Sequence, residues 1–356
     1  MPLGASRRLK VRIIAVEEHF TTLDHVNALR SLIEKVSSAP LSPTDESNIS
    51  FETRWVAPSD HPGDADHIMD KLLDVGTKRI GRMDEAGIDM QVLSIMSPGV
   101  QVFDATTGTI LSRSINDQLA EIINGNPKRY AGLATIAPQN PKAAAAELER
   151  AITELGLKGA CVHSHTGGEY LDDVKYWDIF AVAERLGAPI YIHPRTPSPD
   201  MVRPYLTYPS LATGMWGFAA EASLHAMRLV CSGLFDQYPN LKIILGHLGE
   251  GLPFWIWRLD NRWLKNQFGM KIRKRPADYI RDNFIVTTSG MFYHPSLLCT
   301  FFALGADKIL FAVDYPFESC QDAVKFIQSA PICNNDKERI CHTNAELFLR
   351  LRSSVN

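Results

Sequence analysis

Short apolar runs alternate with longer amphipathic segments along this chain, and after residue 85 the alternation becomes a steady rhythm. Eight runs read as strands: IIAVEEHF (13–20), MQVLSIMSP (90–98), YAGLATIAP (130–138), KGACVHSH (158–165), PIYIHPR (189–195), LKIILGHLG (241–249), FIVTTSG (284–290) and ILFAVDYP (309–316). Between them NPKAAAAELERAITELGL, YWDIFAVAERLGA and AAEASLHAMRLVCSGLF have helical spacing and end near glycine, with Asn140 placed to cap the first. Strands apolar on both faces and separated by helices predict a parallel sheet closed into a (β/α)8 TIM barrel of the α/β class. An open doubly wound sheet is the alternative, but no GxGxxG follows the first strand to support it.

Residues 21–66 interrupt the rhythm with Pro, Ser, Asp and His and read as a long insertion after the first strand, placed where a lid would sit on a barrel rim. The last stretch, 340–356, reads as a C-terminal helix, and 1–356 as one barrel domain. A net charge of -3 without long basic runs argues against nucleic acid and for a small-molecule substrate. Six cysteines (Cys161, Cys231, Cys299, Cys320, Cys333 and Cys341) include no CxxC pair, as expected of a reduced chain. No signal peptide or membrane-length apolar stretch is read, so the expected location is cytoplasmic.

The first strand ends in charge: after Ile13 to Val16 come Glu17, Glu18 and His19. Residues two apart share a strand face, so Glu17 and His19 project together and Glu18 points away. In a barrel, polar side chains at the C-terminal strand ends converge on one site. Glu17 and His19, His193, His247 and Asp314 all terminate apolar runs in this way. Two carboxylates and two or three imidazoles suit a divalent metal; histidine favours Zn2+, and the carboxylates leave Mn2+ or Mg2+ open.

EEHF, IYIHPRTP, ILGHLGEGLP, TTSG and ILFAVDYPFE together resemble the non-oxidative aromatic acid decarboxylases of the amidohydrolase superfamily, the γ-resorcylate and 5-carboxyvanillate enzymes, from Val11 to Leu351. The resemblance implies one divalent metal on Glu17, His19, His193 and Asp314, and no organic cofactor. It implies that Asp314 is the acid, assisted by His247 and Glu250. His225 and Arg228, three apart on a helix, would bind the substrate's oxygens, and Arg258 in FWIWRLDNRW would reach a neighbouring subunit's site in a homodimer or homotetramer. His163 and His165 read as rim or core residues. HPGDADHIMDKLL places Asp64 where the carboxyvanillate enzymes carry an arginine, whereas SHTGGEYLDD is closer to those enzymes than to the resorcylate ones.

The expected activity is decarboxylation of an ortho-hydroxybenzoate to the phenol and CO2, in which a proton reaches the carboxylate-bearing carbon before CO2 leaves. Two rivals are a hydrolase or lactonase with a metal-activated water and a catalytically silent barrel lacking the acid and anion-binding groups.

Overall fold

The computed structural model describes residues 11–37, 64–267 and 269–351. Among the described residues there are nine strands: β1 (Ile14–Phe20), β2 (Met90–Ile95), β3 (Tyr130–Gly132), β4 (Ala134–Thr135), β5 (Ala160–His163), β6 (Ile190–His193), β7 (Ile243–Leu245), β8 (Phe284–Thr287) and β9 (Ile309–Leu310). They match the eight expected runs, because the third run supplies both β3 and β4. Its two halves pair with different neighbours, β3 with β2 and β4 with β5, and all pairings are parallel.

The ring closes between the first and last runs. Val16 N–H donates to Phe311 O at 3.0 Å, Asp314 N–H to Glu17 O at 2.9 Å and His19 N–H to Tyr315 O at 2.7 Å. Strand alternation divides the apolar residues as a barrel requires. Ile14, Val16, Val92, Tyr191, Ile244 and Ile285 belong to one buried cluster, whereas Ile13, Ala15, Leu93, Ile190, Ile192 and Ile243 belong to a larger one that includes helix residues. Each fully buried aliphatic side chain contributes about 1.5–3 kcal/mol, which is why both strand faces are apolar. Ala345, Leu349 and Leu351 join the smaller cluster, so the C-terminal segment seals it.

Asn140 caps the helix Pro141–Thr153 by accepting from Ala143 N–H, as expected. Gly187, at φ 59°, closes Trp177–Leu186 in the left-handed conformation that glycine adopts without a Cβ penalty. Within the expected insertion 21–66, Leu23–Ser37 is a helix. Val26, Leu29 and Ile33 recur at helical spacing and pack with Met69, Leu72 and Met96, a short pattern obscured by the polar residues that follow. Residues 38–63, the rest of the expected lid, lie outside the described residues, as does the side chain of Asp64. In the C-terminal stretch a π-helical turn at Arg339–Thr343 leads into the helix Asn344–Phe348, and 352–356 are also outside the described residues.

Candidate active site

β1 delivers three consecutive polar residues because its register against β2 shifts between Ala15 and Glu18. Such a bulge adds a residue to one strand and re-aims its side chains. Glu17 and His19 turn together towards His193 at the end of β6 and Asp314 beyond β9; one ligand atom from each of the four lies within 4.8 Å of the others. His193 Nε2 is 3.3 Å from Glu17 Oε1, and His19 Nε2 is 3.2 Å from Asp314 Oδ1.

The donor set fits a divalent cation. Glu17 Oε1, His19 Nε2 and His193 Nε2 are all buried and make no hydrogen bond. Three buried polar atoms left unsatisfied would each cost about 1–3 kcal/mol, and they converge on one point. Their opposite edges are held. Tyr191 OH and Thr287 Oγ1 both donate to Glu17 Oε2, the latter at 3.0 Å, while His193 Nδ1 is 2.7 Å from the carbonyl of Pro194. Each ligand therefore turns its free atom inward, as outer partners make metal ligands do.

His247 stands beside this cluster. Its Nε2 is 3.7 Å from Asp314 Oδ2 and its Nδ1 is 2.7 Å from Glu250 Oε1. Burial disfavours the charged ring, but Glu250, Asp314 and Glu17 outweigh it and raise the His247 pKa well above the usual histidine value. Burial alone would raise Asp314; the facing rings of His19, at 3.2 Å, and His247, at 3.7 Å, hold it below the ordinary carboxylate range. Glu17 is likewise lowered, because His193, His247 and His19 overcome burial. Of this pair His247 is therefore the group whose proton is held more tightly, and Asp314, the expected acid, the one held less tightly.

The backbone here is strained. His247, Leu248, Glu250 and Asp314 have φ of 50°, 56°, 54° and 78°, left-handed values that cost non-glycine residues about 1–3 kcal/mol each. Gly290, at φ 58°, faces the same pair, and a Cβ added there would come within 3.1 Å of the His247 ring and 3.6 Å of Asp314 Oδ2. A side chain there would crowd the His247 ring.

Of the three residues expected to bind substrate, His225 and Arg228 both pack on the Tyr170 ring, and Arg258 lies on another helix. His225 is fully buried and both ring nitrogens are engaged, Nδ1 with Ser164 Oγ at 3.2 Å and Nε2 with Leu171 N–H at 3.1 Å. It braces the loop after β5; helical i, i+3 spacing pairs it with Arg228 without saying which face turns inward. Arg228 grips Asp172 at 2.8 and 2.9 Å, lies over the Tyr170 ring and lines a cavity of about 390 Å³ with Ser198 and Leu224. Arg258 is exposed on the helix Leu252–Lys265, in a groove of about 300 Å³ with Trp255 and Trp263.

His163 and His165 do not join the ligand group, as expected. His163 Nδ1 sits 3.2 Å from His193 Nδ1, and His165 Nε2 bonds Thr196 O at 3.1 Å. Tyr191 and Thr287 were missed, although Tyr191 lies two residues before His193 on one strand and so shares its face.

Comparison with known proteins agrees with this geometry. The family model for amidohydrolases matches residues 60–351. The γ-resorcylate decarboxylase of Rhodococcus jostii is 39% identical over 350 residues, covering 95% of this chain and 98% of that one. The crystal structure of 5-carboxyvanillate decarboxylase from Sphingomonas paucimobilis superposes with a TM-score of 0.88 at 38% identity, covering 96% of this chain and all of that one. A dihydroxybenzoic acid decarboxylase from Polaromonas sp. JS666, solved with manganese and the inhibitor 2-nitroresorcinol, gives 0.83 at 36% identity, covering 96% and 98%. With its barrel, its four-ligand cluster and these likenesses over nearly its whole length, the chain belongs to the amidohydrolase family, alongside its aromatic acid decarboxylases.

Proposed function

We propose that this chain catalyses non-oxidative decarboxylation of an ortho-hydroxybenzoate to the corresponding phenol. One observation carries the reading: the unsatisfied atoms of Glu17, His19 and His193 converge beside Asp314, whose other oxygen faces the His247–Glu250 pair. A divalent cation held by Glu17, His19, His193 and Asp314 supplies positive charge that orients the substrate's oxygens and favours an ionised ortho hydroxyl.

The protein's own groups handle the proton. Direct loss of CO2 would leave an aryl carbanion, which no group in this cluster stabilises. Protonating the carboxylate-bearing carbon first forms a C–H bond with ring electrons; the C–C bond then breaks, its pair restores the ring, and CO2 departs. Asp314 delivers that proton. Glu250 keeps His247 charged and oriented, and His247 resupplies the proton across 3.7 Å.

Turnover in deuterated water tests the reading, with deuterium expected at the carbon that carried the carboxylate. Oxygen from labelled water in the product, with no deuterium on the ring, would replace it with a hydrolase.

The assembly belongs to the same proposal. Phe254, Trp255 and Trp257 are 72%, 49% and 74% exposed on the helix that carries Arg258. An apolar patch of this kind fits a homodimer, or a dimer of dimers, in which Arg258 serves a neighbour's site. Six free cysteines fit a reducing, cytoplasmic setting, and no described helix is long and apolar enough to cross a membrane.

A further inference from the structure

Glu18 points away from the ligand cluster, as strand alternation requires, and is fully buried. Its Oε1 accepts from Val313 N–H at 2.9 Å and its Oε2 from Gln91 Nε2 at 3.0 Å. Gln91 in turn accepts from Arg79 Nε at 2.7 Å, and Arg79 Nη1 donates to the backbone carbonyl of His19 at 2.7 Å. The Arg79 guanidinium lies 4.5 Å over the Tyr315 ring, while Arg82, three residues on along the helix Thr77–Ala86, donates to Tyr315 OH at 3.0 Å.

These bonds grip the peptide of one ligand, His19, and both neighbours of another, Val313 and Tyr315 around Asp314. They lie at the two irregular places in the seam: the β1 bulge and Asp314 at φ 78°. Strained backbone persists only where its surroundings over-determine it. A wholly buried arginine is a poor way to gain stability, since apolar side chains of similar volume usually do as well or better. An apolar side chain cannot hold the His19 carbonyl.

We propose that Arg79, acting through Gln91 and Glu18, is a positioning residue for the metal ligands: it sets the separation of His19 and Asp314 across the barrel seam without touching metal or substrate. The inference rests on the metal reading above, and its test reads metal affinity, not turnover. Mn2+ binding is measured by titration calorimetry and by the electron paramagnetic resonance of free Mn2+, with thermal unfolding in parallel. The variants are Arg79→Met, Gln91→Leu and, as a control on the same helix, Met83→Ala, which opens a cavity at a fully buried core position.

Arg79→Met and Gln91→Leu should weaken Mn2+ binding by roughly 10–100-fold, the usual effect of losing an outer partner of a metal ligand. Met83→Ala should lower the melting temperature with affinity unchanged. Should Arg79→Met fail to fold, Gln91→Leu, which keeps the arginine, decides the matter. Wild-type affinity in the folded Gln91→Leu or Arg79→Met protein would overturn the proposal, as would an equal loss in Met83→Ala. Absence of Mn2+ binding by the wild-type chain is a separate outcome that overturns the metal reading first and the positioning role with it.

Discussion

Thr287 donates its hydroxyl to Glu17 Oε2 at 3.0 Å, on the carboxylate oxygen other than the one 3.3 Å from His193. Tyr191 donates to the same oxygen, so Glu17 is left with one free oxygen. Tyr191→Phe combined with Thr287→Val should release the carboxylate to rotate and weaken metal binding by roughly 10–100-fold. Titration calorimetry checks this; unchanged affinity in the double variant would mean that the strand alone orients Glu17.

Removing a ligand has a larger effect. Glu17→Ala and His193→Ala should each purify with far less metal than the wild type, which should carry one divalent ion per chain. Equal metal content in all three proteins, by elemental analysis, would refute the ligand assignment.

Asp314→Asn keeps an oxygen for the metal but cannot deliver a proton. Its chemical step should slow by roughly 10²–10⁴-fold, as for loss of a general acid. Single-turnover kinetics separate this from slow product release, and near-normal turnover would leave His247 as the direct donor.

Stability should fall on the acid side. Burial lowers His25 to about 4 and His225 to about 3 from an ordinary 6.5. Between those values the unfolded chain binds protons that the folded chain does not, so stability present above pH 6.5 is lost as pH falls towards 4 and then 3. Each histidine contributes a slope of about 1.4 kcal/mol per pH unit in its window. Urea unfolding at pH 7 and pH 5 measures it; equal stability at the two would show that these rings are charged in the folded protein.

For the assembly, mixing inactive Arg258→Ala with inactive Asp314→Asn chains should restore part of the activity in hybrid dimers, where one site has both residues. Hybrids that form but stay inactive would confine Arg258 to its own subunit.

The four metal ligands were legible because each ends an apolar run, and a barrel sends all such ends to one rim. Tyr191 was legible in principle from IYIH. Arg79 and Gln91 were not: a charged residue in a helix normally faces water, and the burial of this one depends on His19, 60 residues away in sequence. The surroundings of His225 and Arg228 were hidden for the complementary reason. Their spacing is correct, but only the packing of the loop after β5 decides that His225 serves that loop. The helix Leu23–Ser37 was hidden by composition, since three apolar residues set its face within a largely polar segment.

The barrel seam also governs when the site can exist. Glu17 and His19 leave the ribosome early, yet Glu18 must wait for Val313, 295 residues later, before its carboxylate has its backbone partner. At about 5–20 residues per second, that delay lasts many seconds, during which the first strand has no final neighbour on one side. Asp314 is also the last of the four ligands to be made, so a chain cut short between Leu310 and Asp314 would keep all its strands and lack one corner of the cluster.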